Sequence, residues 1–142
     1  MQRELNIGAS IGWGTQNSFP FNSTDYTHKN YFIKGTLNKE LYNIKKVKLE
    51  FGFEPTYFFI KHQLLNPLYI TPQYSSDYLE KREQFKEPIT YSEFSLGVGL
   101  IIRYQIDNQF SIYCMGTIGP TYIEKDTERL AKGFAFSDIA GA

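Results

Sequence analysis

The side chains with the greatest catalytic potential are few and lie far apart in the sequence. Neither histidine, His28 or His62, has a serine or cysteine at a spacing typical of a nucleophile and its base. Ser137 and Asp138 are adjacent, but a serine beside an aspartate lacks the general base of a hydrolytic triad. We therefore predict no catalytic residue in this chain, and we interpret both histidines as surface or interfacial residues.

Carboxylates could support a second kind of chemistry. Glu50 and Glu93 are predicted to lie on the same face of one sheet, and two facing carboxylates can hydrolyse a glycosidic bond. Salt bridges with neighbouring lysine and arginine side chains are the commoner role for such residues, and we favour that interpretation for both.

The sequence gives no indication of a metal or cofactor site. Cys114 is the single cysteine, so the chain has neither a disulfide framework nor a paired-cysteine metal site. No group of residues has metal-ligand spacing. The glycine pairs Gly97/Gly99 and Gly116/Gly119 lie inside predicted strands, whereas a phosphate-binding loop joins a strand to a helix. We predict no metal and no cofactor.

Length and charge limit the class of protein. The 142 residues suffice for one domain with one core, and 15 basic residues balance 15 acidic ones. A net charge of zero without a basic tract gives no indication of a nucleic-acid partner. Aromatic residues make up 17% of the chain, which suits β-strands and membrane interfaces. No apolar run approaches the roughly 20 residues that a membrane helix needs.

Apolar and polar residues alternate with a period of two in five segments, which predicts an all-β protein. Two residues, Phe32 and Ile101, break the alternation, and we place Phe32 at the end of its strand. The predicted strands cover about 5–13, 30–41, 47–59, 90–104 and 110–122, and a sixth opens at Gly133 and continues to Ala142.

The connections between these strands alternate between long and short, beginning with a long one after the first strand. This alternation is typical of an up-and-down membrane barrel, which has tight turns at one end and longer loops at the other. Asp77 and Glu80, in the long connection 61–88, also have the spacing of a capping box on a short helix.

The two faces of the predicted strands differ in composition. One is apolar, and the other carries many glycines with serine, threonine and asparagine between them, which suits the narrow lumen of a small barrel. The few charges on this second face are predicted to pair across the lumen: Lys34, Lys48, Glu50, Glu93 and Arg103.

Aromatic residues cluster near both ends of the strands, which predicts two girdles at the interfaces of a membrane. The predicted members near the long loops are Trp13, Tyr57, Phe59, Tyr91 and Tyr122. The predicted members near the short turns are Tyr42, Tyr104 and Phe110.

Together these patterns predict one domain, residues 1–142, that forms an antiparallel up-and-down β-barrel of the outer-membrane type. Eight strands make about the smallest common closed barrel. The alternation supplies about five and a half, so we expect the barrel to be incomplete at its carboxyl end. A soluble barrel with the apolar face inside is the alternative that periodicity alone leaves open.

The last part of the chain resembles a known protein family. Gly119 and Pro120 end a glycine-rich strand, and after a polar loop comes Gly-Phe-Ala-Phe-Ser-Asp at 133–138. The glycine-rich segment 94–104 precedes them. These segments resemble the lipid A 3-O-deacylase family of outer-membrane barrels, also called acyloxyacyl-hydrolase-like proteins.

The resemblance implies an eight-stranded barrel in the bacterial outer membrane that removes an ester-linked acyl chain from lipid A of lipopolysaccharide. Members of the family use a serine nucleophile and a histidine base in a His-x-Ser motif, supported by an acidic residue, downstream of the Gly-Phe-Ser-Asp region. No His-x-Ser occurs in residues 1–142, so no catalytic residue is carried over. We expect this chain alone to be inactive as a carboxylic ester hydrolase.

Two other functions are compatible with the sequence. A non-enzymatic outer-membrane barrel, structural or adhesive, would use the long loops and would lack His-x-Ser. A soluble lipid-binding barrel would remain in solution without detergent and would bind a fatty acid in its core.

Overall fold

The computed structural model describes residues 5–15, 24–73, 75–126 and 132–141, and six antiparallel strands dominate them. The prediction of an all-β protein is confirmed. The strands are β1 (Leu5–Thr15), β2 (Tyr26–Ile44), β3 (Val47–Leu64), β4 (Ile89–Gln105), β5 (Ser111–Ile123) and β6 (Gly133–Gly141).

The strands form one sheet in the order of the sequence, β1-β2-β3-β4-β5-β6, which confirms the up-and-down topology. Among the described residues, β1 pairs with β2 alone and β6 with β5 alone, so the sheet is not closed into a barrel. The sheet is nevertheless curved, because one cavity of about 260 Å³ on its concave face is lined from Ser10 on β1 to Tyr113 on β5. None of the helices in this part of the chain is long and apolar enough to cross a membrane.

The two residues that break the alternation fill space beside glycines on the concave face. Phe32 lies within β2, so its predicted place at the strand end is wrong, and its ring centroid is 6.0 Å from that of Phe58. A Cβ on Gly12 would lie 2.5 Å from the Phe32 ring. Ile101 is buried and lies 3.5 Å from the Cβ position of Gly52. Large side chains on one strand therefore occupy the room that glycines leave on the next.

A β-bulge interrupts the pairing of β2 with β3. The register shifts between Glu40 and Tyr42, which makes Leu41 the extra residue. A bulge moves every later side chain to the opposite phase, so Tyr42 and Ile44 join the apolar face that odd-numbered residues occupy before it. This change of phase is why the alternation predicted an end at residue 41, although β2 continues to Ile44.

Two short turns lie at one end of the sheet and are joined to each other. The β2–β3 turn contains Lys45, at φ 56°, and Lys46; such left-handed backbone suits a two-residue hairpin turn. In the β4–β5 turn, the Asp107 carboxylate accepts hydrogen bonds from the backbone N–H groups of Gln109 (2.7 Å) and Phe110 (2.9 Å). The Gln105 N–H donates to the Lys46 carbonyl at 2.8 Å, which links the two turns.

The long connection between β3 and β4 contains a 3-10 turn, Pro67–Tyr69, and helix α1, Tyr78–Gln84. The predicted short helix is therefore confirmed, and Asp77 occupies its N-cap position. The Asp77 side chain makes no capping hydrogen bond, however. It accepts one from the Ser75 hydroxyl and lies 3.9 Å from Lys81, so the capping box is not formed as predicted.

Apart from Ile101, the buried apolar residues lie on the concave face at the long-loop end. Ile60, Tyr91 and Ile123 form one cluster, drawn from β3, β4 and β5. The second cluster joins the β3–β4 connection to the sheet, through Leu64, Ile70 and Phe85. The strand segments at this end, 26–29 and 60–64, carry polar residues such as Lys29, Lys61 and Gln63 on the convex face, so the alternation changes and the predicted strands stop short of the long-loop ends of β2 and β3.

Candidate functional site

The convex face of the sheet is exposed and mostly apolar, with Lys39 on β2 and Asp138 on β6 as charged residues within it. At the long-loop end its aromatic side chains are register partners from strand to strand, and each is between 44% and 86% exposed. These residues, called here the loop-side aromatic row, are Trp13, Tyr31, Phe59, Tyr57, Phe94, Tyr122 and Phe134. An isolated soluble sheet with this face in water would expose a far larger apolar patch than monomeric proteins normally carry.

A second aromatic group lies on the same face at the short-turn end, as the sequence predicted. Tyr42, Tyr104 and Phe110 are all exposed there. Tyr91 was predicted to belong to the loop-side row, but it is 4% exposed and packs in the cluster with Ile60. The prediction failed for Tyr91 because it assigned the residue by its place near a strand end and not by its phase within β4.

Among the described residues, three ion pairs occupy the concave face, between the middle of the sheet and the short turns. Each joins neighbouring strands: Lys34 Nζ to Glu54 Oε2 (3.3 Å), Arg103 Nε to Glu50 Oε1 (3.4 Å) and Lys48 Nζ to Glu40 Oε2 (3.6 Å). The prediction that these cations and Glu50 form ion pairs is confirmed. The pairs join neighbouring strands, however, and do not cross the lumen as predicted. The partners Glu40 and Glu54 were missed, although both are in phase with predicted concave-face residues on their strands.

The remaining predicted charge, Glu93, lies far from Glu50. Glu50 is the register partner of Ile101, and Glu93 lies eight residues before Ile101 on β4. At about 3.3 Å per residue the two carboxylates are about 26 Å apart along the strand, and a glycosidase pair needs no more than about 9.5 Å. The register therefore excludes a glycosidase-like pair, and the salt-bridge interpretation is confirmed for Glu50.

Three hydroxyl groups form a cluster on the concave face of β4, β5 and β6. The Thr121 hydroxyl lies 2.9 Å from the Ser137 hydroxyl and 3.1 Å from that of Ser95, and the two serine oxygens are 3.1 Å apart. Ser137 also reaches the Gly119 carbonyl at 3.5 Å. These contacts satisfy the hydroxyls without a general base, so the cluster is a packing network.

The two sequence segments that carry the family resemblance pair with each other beside this cluster. Gly119 is the register partner of Ser137, and Pro120 is the register partner of Phe136. Ser137 and Asp138 point to opposite faces of β6, because successive residues of a strand do so, and cannot act together.

Replacement of Thr121 by valine is expected to lower the free energy of unfolding by about 1–2 kcal/mol, because the buried Ser95 hydroxyl and the half-buried Ser137 hydroxyl lose their shared partner. Thr117→Val is the matched control: Thr117 is equally buried on the same face of β5, and no hydrogen bond of its hydroxyl is seen among the described residues. Denaturant unfolding of both variants measures the difference. Equal losses for the two variants would contradict a stabilising role for the cluster.

The histidines lie at the long-loop end of the concave face. His62 is 2% exposed, so its predicted surface position is wrong, and His28 is half-buried. The two are register partners on β2 and β3, with ring centroids 5.9 Å apart, and Tyr26 lies 5.4 Å from His62. The β3–β4 connection packs over this end of the sheet through Leu64, Ile70 and Phe85, a long-range contact that local alternation does not record.

Cys114 is exposed on the convex face. In the described parts of the chain, no group of three or more histidine, cysteine or acidic side chains could hold a metal ion. The geometry therefore presents a broad apolar surface backed by small polar residues and ion pairs. Comparison of the chain with protein-family models, with curated proteins and with solved structures finds no significant match to any of them.

Proposed function

We propose that this chain forms part of the wall of a bacterial outer-membrane β-barrel, with its convex face against lipid. The observation that supports this most directly is the broad exposed apolar band between two sets of aromatic side chains, in which Lys39 and Asp138 are the charged exceptions. Aromatic residues favour the two interfaces of a bilayer, and apolar residues favour the region between them.

The height of the band agrees with this role. On β4, ten residues separate Phe94, in the loop-side aromatic row, from Tyr104 near the short turns. At about 3.3 Å per residue and a tilt of about 40°, this separation spans about 25 Å along a barrel axis, which is the apolar height of outer-membrane barrels. The side chains between them on this face, Leu96, Val98, Leu100 and Ile102, carry no charge.

The concave face supports the same interpretation. Six of its charges are paired within the sheet, and glycines and hydroxyl groups line much of its remaining surface, as the narrow lumen of a small barrel requires. Such a wall cannot end in lipid at β1 and β6, because each unpaired backbone group would cost several kcal/mol there. In an eight-stranded barrel these two edges would pair with further strands.

Within this barrel we infer a lipid A deacylase type of activity. The support is the resemblance of Gly119-Pro120 and the segment 133–138 to that family, together with their pairing across β5 and β6. The nucleophile and base would be supplied by a His-x-Ser motif outside residues 1–142. The role of this chain would be to hold the barrel in the outer membrane, where lipid A is the substrate.

Membrane insertion can be tested with Trp13, the single tryptophan, which is 81% exposed in the loop-side aromatic row. In phosphatidylcholine vesicles we expect its emission to shift to the blue and to be quenched by lipid brominated on the acyl chains. A protein that stays in solution without detergent, binds a fluorescent fatty acid and shows no quenching would instead be a soluble lipid-binding barrel.

The enzymatic part needs a separate assay. We expect the full-length gene product that contains this chain to lower the mass of purified lipid A by one acyl chain, and residues 1–142 alone to leave it unchanged. If the full-length product inserts into membranes but leaves lipid A intact, the protein is a non-enzymatic barrel that is structural or adhesive.

A further inference from the structure

The short-turn end of the convex face carries an apolar groove. Its cavity measures about 670 Å³, the largest volume among the cavities described here. Five of its lining residues are apolar or aromatic and belong to β2, β3 and β4: Tyr42, Ile44, Val47, Leu49 and Tyr104. The groove lies at the level of the aromatic side chains that we assign to the membrane interface.

The β-bulge at Leu41 lies beside the groove. A bulge bends its strand and increases the local twist, and this one directly precedes Tyr42 and Ile44, which line the groove. The hairpin end and the neighbouring Tyr104 on β4 then enclose a recess, where a flat sheet would present a plane.

Two cations border this recess. Lys45 and Lys46 form the turn that lines the groove, and both are exposed. Lys46 Nζ donates a hydrogen bond to the Ile106 carbonyl at 3.2 Å, which holds it beside Tyr104. No carboxylate of the described residues pairs with either lysine, and the nearby Asp107 carboxylate is already occupied by two backbone N–H groups.

We propose that this groove binds one anionic phospholipid, with an acyl chain along the apolar lining and the phosphate between Lys45 and Lys46. The inference rests on the proposed membrane insertion and adds a lipid preference to it. Charge complementarity identifies the occupant: two unpaired cations at an apolar recess attract a lipid with net negative charge, whereas a zwitterionic lipid offers them no net charge.

The experiment places a tryptophan in the groove and asks which lipid lies beside it. A Tyr104→Trp variant, combined with Trp13→Phe, is reconstituted in vesicles that contain phosphatidylglycerol and phosphatidylcholine in known proportion. In parallel samples, one lipid or the other carries bromine on its acyl chains. We expect brominated phosphatidylglycerol to occupy the site in preference to phosphatidylcholine, by about fivefold for each lysine.

Two controls isolate the lysines. Lys45→Gln together with Lys46→Gln in the same background should bring the preference to one. The native Trp13, at the opposite end of the convex face, should show no preference between the two lipids. If the Tyr104→Trp variant does not fold, native mass spectrometry of the unaltered protein and of the double glutamine variant measures the retained phosphatidylglycerol instead.

The outcomes separate this inference from the proposed function. Equal quenching of the tryptophan at position 104 by both lipids would overturn the anionic site and leave membrane insertion intact. An absence of quenching of Trp13 by either lipid would overturn membrane insertion, and the lipid site with it. A preference for phosphatidylglycerol that survives the double glutamine substitution would show that the lysines do not form the site.

Discussion

Replacement of Gly119 by alanine is expected to destabilise the sheet by at least about 3 kcal/mol, the upper range for an overpacked interior. A Cβ at this position would lie 1.8 Å from the Leu96 carbonyl oxygen and 2.7 Å from its carbonyl carbon. These atoms are backbone, so they cannot turn aside as a flexible side chain does. The β4 and β5 backbones would have to separate where Gly119 and Pro120 also meet β6.

Gly116 in the same strand provides the control. A Cβ added at Gly116 meets no atom within 4 Å, so Gly116→Ala should leave the free energy of unfolding unchanged or slightly raise it. Gly99→Ala, with a contact of 2.0 Å to the Gly116 carbonyl oxygen, should resemble Gly119→Ala. Denaturant unfolding in detergent micelles measures all three. Equal stabilities of the Gly119 and Gly116 variants would show that β4 and β5 are less tightly apposed than described.

Replacement of Leu100 by lysine is expected to cost about 2–4 kcal/mol in vesicles, because a charge would face the middle of the apolar band. Leu100 is half exposed on the convex face, between Phe94 and Tyr104 on β4. The measurement is the free energy of unfolding from vesicles of neutral lipid.

Ile112→Lys is the matched control for Leu100→Lys. Ile112 lies on the same face and is the register partner of Tyr104 at the short-turn end, where a lysine should cost no more than about 1 kcal/mol. In a soluble sheet both positions face water, and both substitutions would fall within about 0.5 kcal/mol of the parent. That second result would refute the membrane role of the convex face.

Local pattern sufficed for most of the fold. Period-two alternation located all six strands, because most of the concave face is small or polar while the convex face is apolar. The alternation of loop lengths correctly indicated neighbouring strands paired in sequence order. The sequence predicted that Lys34 and Arg103 form ion pairs, because unpaired charges on a buried face are costly, but it did not identify Glu54 as the partner of Lys34.

The errors have more than one physical cause. Tyr91 lies in the concave phase of β4 and packs with Ile60 and Ile123, so its place near a strand end was a misleading guide. His62 is buried beside Tyr26 and His28 of the neighbouring strand, and no local signal records that contact. Phe32 breaks the alternation because its ring fills the space beside Gly12 on the neighbouring strand β1. The hydroxyl cluster depends on the register of three strands. Alternation fixes which face each residue occupies, but a shift of two residues between strands keeps the face, so the pairing cannot be read from it.

The order of the strands in the sheet also bears on how the chain folds. The β2–β3 turn is two residues long, whereas the β3–β4 connection runs from 65 to 88, a difference in loop-closure entropy of about 2 kcal/mol. The hairpins β2–β3 and β4–β5 are therefore the natural early units, since each closes without long-range search. By the same measure, the β1–β2 and β5–β6 connections, 16–25 and 124–132, cost less to close than the connection 65–88. We therefore expect β1 and β6 to pair with β2 and β5 before β3 pairs with β4, after which the hydrogen bonds of Lys46 with Gln105 and Ile106 join the two short turns.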